Sequence, residues 1–492
     1  MTQLGQKCNQ NFSQTFSQDT AAFRTETDGI GTKEIPKDAY YGVHALRAKE
    51  NFSITGEVLH TEMIHSLARL KKACAITNAK AGVLDPHIAD AIAKACDLLL
   101  AGKYHEQFIV DPIQGGAGTS INMNANEVIA NIAIELLGGQ KGDYAIVHPN
   151  DHVNYGQSTN DVIPTAGKIT TLVLLQQLKA ALLHLKTTLE NKAAAFDAII
   201  KMGRPQMQDA IPIRLGQEFA AYAAAVARSV DRISQVEAEL YTVNIGGTAI
   251  GTGLNADYGY FYNIAETLSD ITGFPLRQAD DLIDATQHID CFAAVSGALK
   301  TCAISLSKIA NDLRLMSSGP RTGLGEINLP AKQSGSSIMP GKVNPVIPEV
   351  VNQVAYKVVG NDVTIAMAVE AGQMELNAFE PVIFESLFQS ITILTNGAKT
   401  FADNCISGIT ANEERCRQLV DSSIGVITAL CPHIGYARAD KIAKKALAEN
   451  IPVRQLILQE QLLTEQELNL ILDVYDMTDP GISGKELLTQ RT

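Results

Sequence analysis

TLVLLQQLKAALLHLKTTLE, residues 171–190, sets Leu175, Leu178, Leu182, Leu185 and Leu189 at steps of three and four. That spacing holds one apolar stripe on one helix face for several turns, the pattern of a helix that packs against others along its length. A second stripe, Val295, Leu299, Cys302, Leu306, Ile309 and Leu313, steps four, three, four, three, four, with Lys300, Lys308 and Arg314 on other faces. A third segment runs from Pro345 to about Leu376. Segments of 30 or more residues with no internal proline exceed the average globular helix and predict an extended bundle of an all-α fold. Such helices need partners along their whole length, so a homo-oligomer built around the central segment is expected.

Shorter helices over Thr61–Lys80 and Pro86–Leu100 precede the bundle, and Pro432, Pro452 and Pro480 break the chain after about Arg415 into shorter units. The expected organisation is a helical N-terminal domain over 1–160, with a disordered tail at 1–20, a central bundle over 161–414 and a small helical domain over 415–492. The 492 residues are 46 % hydrophobic, 19 % charged and 5 % aromatic without tryptophan, which suits a large helical core and excludes wholesale disorder. Lys and Arg number 40 against 53 Asp and Glu, a net charge of −13, the wrong sign for general nucleic-acid or anionic-membrane binding. An anionic substrate would have to be attracted by local donors.

The longest unbroken apolar run, Phe219 to Ala227, is far short of the about 20 residues a membrane span takes, so no crossing is expected. Met1 to Thr20 is rich in Gln, Asn, Ser and Thr and has no signal-like apolar stretch. Eight scattered cysteines without a CxxC pair suggest neither a zinc site nor a disulfide framework, and a reducing cytoplasm is the simplest compartment.

Three polar clusters interrupt the helical pattern. MSSGPRTGLGEINLPAKQSGSSIMPGKVNP (316–345) is longer than an ordinary connection and joins two long helices, a placement that favours function. Its end, GSSIMPGKVNP (Gly335 to Pro345), gathers hydroxyls, glycines that admit close backbone approach, a lysine and an asparagine, together able to hold a carboxylate. GGAGTS (Gly115 to Ser120) and HPNDHVNYGQSTND (His148 to Asp161) each end where a helix begins, so their hydroxyls and amides serve as caps or as an anion cradle. Three donor-rich clusters point to a small polyanion. IGGTAIGTGLNA (Ile245 to Ala256) lacks the ending of a phosphate-binding loop. His148 and His152 are separated by Pro149, which argues against a helix and a metal pair there, and no GxSxG elbow is present.

GSSIMPGKVNP resembles the signature of the fumarase/aspartase superfamily. IPKDAYYGVHALRAKENFSITG (Ile35 to Gly56), GAGTSINMNANEVIAN (Gly116 to Asn131), QSTNDVIPTA, LGQEFAAY, GTAIGTGLN, NDLRLMSSGPR and VNPVIPEVVNQV extend the likeness from about Phe23 to the C-terminus. YYGVHALRAKENF, NPVIPEVVNQV and EAGQMELNAFEPVI are more similar to the aspartate ammonia-lyase branch than to the fumarases. The resemblance implies an all-α, three-domain subunit and a homotetramer with a 20-helix core, whose active sites are shared between subunits. It implies reversible deamination of L-aspartate to fumarate and ammonia by Cβ proton abstraction through an enediolate, with no cofactor required, no metal site and Mg2+ activation conceivable. The alternatives are a fumarate hydratase and a catalytically inactive structural relative on the same fold.

Residue by residue, the resemblance implies Ser336 as general base, with Lys342 as the cation that favours its alkoxide. Thr119, Ser158, Thr159 and Ser337 would hold the β-carboxylate, Lys342 and Asn344 the α-carboxylate, and Asn160 with Thr119 the amino group. Where the superfamily commonly reads Gly-Arg-Thr-His, this chain reads Gly203, Arg204, Pro205, Gln206. Gln206 is similar to some aspartate ammonia-lyases and counts against a fumarase. Pro205 removes a hydroxyl and an N–H, which predicts intact elimination chemistry with weakened substrate binding. In fumarases the His148–His152 segment also forms a second anion site.

Overall fold

The computed structural model describes residues 22–489, so the tail expected over 1–20 lies outside the described residues. Strands β1 (Phe23–Thr27) and β2 (Thr32–Pro36) form an antiparallel ribbon ahead of α1 (Val43–Asn51), α2 (Thr61–Lys80), α3 (Pro86–Leu100) and α4 (Thr119–Leu136). Then follow α5 (Thr159–Ala195), β3 (Ile200–Met202), β4 (Pro212–Arg214), α6 (Leu215–Glu237), β5 (Thr242–Val243), α7 (Tyr258–Thr272), β6 (Arg277–Gln278), α8 (Leu282–Gln287) and α9 (Asp290–Met316). After β7 (Ile327–Asn328) come α10 (Val346–Glu370), α11 (Glu380–Asn404) and β8 (Thr410–Ala411). The C-terminal segment is a run of short helices from α12 (Glu413–Ser422) to α18 (Lys485–Thr489). The fold is mostly helical, as the stripes predict, and the strands are two-stranded ribbons that staple connections.

Helices α2 and α3 start where the sequence marks them. His60 Nδ1 accepts from the Glu62 N–H, and Asp85 caps α3 with Pro86 in the first position, where its missing N–H costs nothing. Helix α5 begins well before the leucine stripe and carries Pro164 inside it. Proline cannot donate to the carbonyl four residues earlier, and that orphan, the Asn160 carbonyl, accepts instead from the buried Asn244 Nδ2 at 3.0 Å. At the other extreme α10 stops at Glu370, short of Leu376, because the Asn377 amide donates to the carbonyls of Ala368 and Val369.

The five long helices α5, α6, α9, α10 and α11 form the bundle, and their cross-links fix its sense. Lys179 pairs with Glu237, Tyr222 Oη donates to Asp312 at 2.9 Å, and Lys300 reaches Asp362 at 2.6 Å, so α5/α6, α6/α9 and α9/α10 are antiparallel. Helix α11 runs parallel to α5, with Phe384 against Gly167 at one end and Asp403 against His184 at the other. Leu178, Leu182, Leu185 and Leu189 are fully buried, as are Val295, Leu299, Cys302 and Leu313. Truncating one such leucine to alanine costs about 2–5 kcal/mol. By length and composition α9 is apolar enough to cross a membrane, although it holds no long unbroken apolar run; its stripe faces the bundle interior.

One apolar core runs from Ala45 to Ile409. A second gathers Val420, Leu430, Leu456, Leu468 and other C-terminal residues around Ile200 and Met202, which β3 contributes from the end of α5. The seven cysteines among the described residues are unpaired, and six are buried.

Candidate active site

GGAG brings the chain into α4 through consecutive left-handed residues, Gly116 (φ 91°), Ala117 (φ 55°) and Gly118 (φ 84°). A Cβ on Gly118 would lie 3.0 Å from Ile163 of α5, so glycine there lets the first turn of α4 seat against the first turn of α5. Ser158 caps α5 in a reciprocal box: its hydroxyl accepts from the Asn160 N–H at 3.2 Å and Asp161 accepts from the Ser158 N–H at 2.9 Å. Thr119, Ser158, Thr159 and Asn160, half-buried, thus converge at two adjacent helix N-termini, where free N–H groups and the helix dipoles favour an anion.

Behind this pole lies a polar network that sequence reasoning missed. Lys71 is fully buried, and its amine donates to Asn154 Oδ1 and Gln157 Oε1, each at 2.8 Å. Asn154 Oδ1 also accepts from Asn122 at 3.2 Å and Asn126 at 3.3 Å, and Asn122 Nδ2 donates to Thr159 Oγ1 at 3.3 Å. The glycine-rich 245–256 segment wraps the other side: Gly246 and Thr248 N–H groups bind Asp161, and Asn160 Nδ2 donates to the Ala249 carbonyl at 2.6 Å. Burial pushes the Asp161 carboxyl up to about 7, against the pull of these N–H groups and of Lys71. The available signal was the lysine itself, the one charged residue on the buried face of α2.

The 335–345 loop is closed on itself. Ser336 Oγ accepts from the N–H groups of Ile338 at 3.2 Å and Met339 at 3.0 Å, Gly335 donates to the Lys342 carbonyl, and Asn344 Nδ2 donates to the Gly335 carbonyl at 2.7 Å. Ser337 and Lys342 are exposed. Gln206 sits at φ 57° on the exposed tip of a loop over 203–211, closed by paired bonds between Gly203 and residues 210 and 211. Arg204 anchors that loop to the buried Glu326 at 2.7 Å.

The candidates therefore form two groups. Thr119, Ser158, Thr159 and Asn160 stand at the N-terminal end of α5. Gln206 follows its C-terminal end, and the Ser336 loop is seated there too: Pro345 packs beside Asn404 and Cys405, while Lys192 donates to the Ile409 carbonyl. The 37 residues of α5 span about 55 Å, and none of the described hydrogen bonds joins the groups. His148 and His152 are not a ligand pair. Each Nδ1 accepts a backbone N–H within a single π turn, Pro149–Val153, which forms despite Pro149 because the proline takes the first position, where no donor is needed. Among the described residues no three His, Cys, Asp or Glu side chains gather as a metal site. A cavity of about 360 Å³ between His60, Met63, Phe384 and Phe388 holds none of the candidates.

A lyase family profile matches residues 31–360 and the fumarase C C-terminal profile matches 426–479. Aspartate ammonia-lyase of Bacillus subtilis is 56 % identical over 466 residues, 95 % of this chain and 98 % of the relative, and that of Helicobacter pylori is 51 % identical over 93 % and 98 %. Among solved structures, fumarate lyase/delta crystallin from Brucella melitensis, bound to cobalt, superposes with a TM-score of 0.91 at 49 % identity, covering 93 % of this chain and all of that one. The class II fumarase of Schistosoma mansoni does so with a TM-score of 0.89 at 34 % identity over the same shares. By sequence over nearly its whole length and by fold, the chain belongs to the aspartate ammonia-lyase family.

Proposed function

We propose that the chain works as an aspartate ammonia-lyase, releasing ammonia from L-aspartate through an enediolate, and that its sites assemble from several copies. The observation that carries the chemistry is the polarity of the α4/α5 pole. Asn160 spends its amide on Ala249 and presents Oδ1; Thr119 donates its hydroxyl proton to the Gly116 carbonyl at 2.7 Å and presents lone pairs. Two acceptors suit an ammonium. Ser158 and Thr159 accept N–H groups, and their hydroxyl protons remain free for a carboxylate. Of the two contacts expected of Thr119, the amino contact fits this polarity and the carboxylate contact does not.

The Cβ proton is a weak acid, removable when the neighbouring carboxylate can take the charge onto waiting donors. Ser336 takes it as an alkoxide, a form favoured by the two N–H groups aimed at its oxygen and by Lys342 on the same loop. Lys342, Asn344 and Ser337 then hold carboxylate oxygens, and the amine departs from the Asn160 and Thr119 side. Gln206 approaches on its exposed tip. No step needs a resident cofactor, and Mg2+ is an additive to vary in the assay.

Because α5 separates the two groups by about 55 Å, one chain cannot close a site. Residues 161–414 are the proposed assembly domain: five long helices per chain would make 20 in a tetramer. Helix α10 carries an outward apolar stripe, with Tyr356 66 %, Val363 56 % and Met367 68 % exposed, ready to continue the core across a symmetry axis. The unpaired cysteines suit a reducing cytoplasm. Proton NMR of the protein with fumarate, with and without ammonium, tests the reading. Aspartate formed only with ammonium supports it; malate in both tubes makes the protein a hydratase, and no product in either overturns both.

A further inference from the structure

Lysine at position 71 has no counter-ion within pairing distance among the described residues, although it is fully buried; it meets only amide oxygens. An ammonium has three donors and no acceptor. Its position therefore dictates the orientation of each amide beyond it. Asn154 must turn Oδ1 toward Lys71, and the two amides that meet the same oxygen, Asn122 and Asn126, must turn their Nδ2 groups to it. The second proton of Asn122 Nδ2 then falls on Thr159 Oγ1. With one lone pair already accepting from Asn122, the Thr159 hydroxyl keeps its proton free to donate to the ligand.

We propose that Lys71 is a positioning residue for the anion cradle: through Asn154 and Asn122 it fixes the Thr159 hydroxyl as a donor toward the substrate carboxylate. The inference rests on Thr159 binding substrate. Reversing one link would reverse the rest: an acceptor at 122 would take the Thr159 proton and leave lone pairs facing an anion. Burial draws the Lys71 amine down to about 8, and Asp161, on the first turn of α5, acts the other way. The amine thus sits behind the two helix N-termini with amide oxygens, and no ion pair among the described residues, as its partners.

The test is a double-mutant cycle on the full-length enzyme as it assembles, with Lys71→Met, Thr159→Val and the pair, reading KM for L-aspartate and kcat separately. Each single variant is expected to raise KM at least tenfold, and the pair no more than the worse single, because both act through one hydroxyl. A lysine needed only for folding lowers the active fraction, and so kcat, at unchanged KM. Thr159→Val raising KM while Lys71→Met does not overturns the inference and leaves the functional reading standing. Neither raising KM removes the cradle itself. Should Lys71→Met fail to fold, Asn122→Asp decides: a carboxylate at 122 takes the Thr159 proton, so KM should rise tenfold in the folded fraction, which the thermal midpoint checks. An unchanged KM in Asn122→Asp overturns the relay.

Discussion

The two ends of the bundle carry opposite kinds of site. At the α4/α5 pole two candidate side chains are held by partners from other elements, Thr159 by Asn122 and Asn160 by Ala249, and the neighbouring Asp161 is held by the 245–256 segment. Among the described residues, the 335–345 loop at the far end bonds only within itself and to the first turn of α10, and it leaves Ile338 84 % and Val343 52 % exposed. A binding cradle gains from being rigid before the ligand arrives, because reorganisation then costs nothing at the moment of reaction. A segment with few buried contacts opens at low cost, which suits a part that must admit substrate and then close over it.

The largest expected effect separates chemistry from fold. Ser336→Ala should lower kcat by about 10²–10⁴-fold, the range for losing a positioned proton-transfer group, with the thermal midpoint unmoved because the Ser336 hydroxyl bonds only to N–H groups of its own loop. Mixed with Thr159→Val chains and refolded together, Ser336→Ala chains should regain activity if each site draws its two groups from different copies; no recovery at all would place both in one chain and break the contrast. Ser158→Ala should do both kinds of damage, lowering kcat/KM by about 10²-fold as a carboxylate donor and costing about 1 kcal/mol of stability as the cap of α5, measured by denaturant unfolding. A variant that loses activity without stability would mean the pole is no more braced than the loop.

Smaller effects sharpen the picture. Pro205→Thr restores a hydroxyl and an N–H at the exposed 203–211 tip and should lower KM for L-aspartate several-fold at constant kcat; an unchanged KM means the tip does not reach substrate. The pole should also respond to pH. The folded value of Asp161, about 7, lies above its ordinary 3.8, so its stabilising contribution is complete below about pH 4 and is lost as pH rises through 7. The Gly246 and Thr248 amides that bind it should exchange with solvent more slowly at pH 6 than at pH 8 after correction for intrinsic rates. The Ile338 and Met339 amides of the loop, remote from Asp161, are the control.

Much of the architecture was legible because stripes at steps of three and four admit few other packings. Leu178 and Leu182, Val295 and Leu299 needed no tertiary information to be placed inside. The clusters were legible from their residue types as cradles for a small polyanion, but the roles of single residues came only through the resemblance of GSSIMPGKVNP and the two capping segments. Pro164 within α5 and the early stop of α10 were not legible, since both depend on asparagines distant in sequence, Asn244 and Asn377, reaching backbone carbonyls.

By itself, then, the chain's order of residues determined the helices, their buried faces and the chemical character of the three polar clusters, because these follow from periodicity and side-chain type over short distances. Only the tertiary structure decided which clusters meet. Thr119 and Thr159, 40 positions apart, share one pole because Gly118 admits Ile163, whereas Thr159 and Ser336 end on opposite sides of a helix about 55 Å long. It also decided which way each hydroxyl points, since the direction of a hydrogen bond is set by the partner, and here the partners lead back to a lysine buried on another helix.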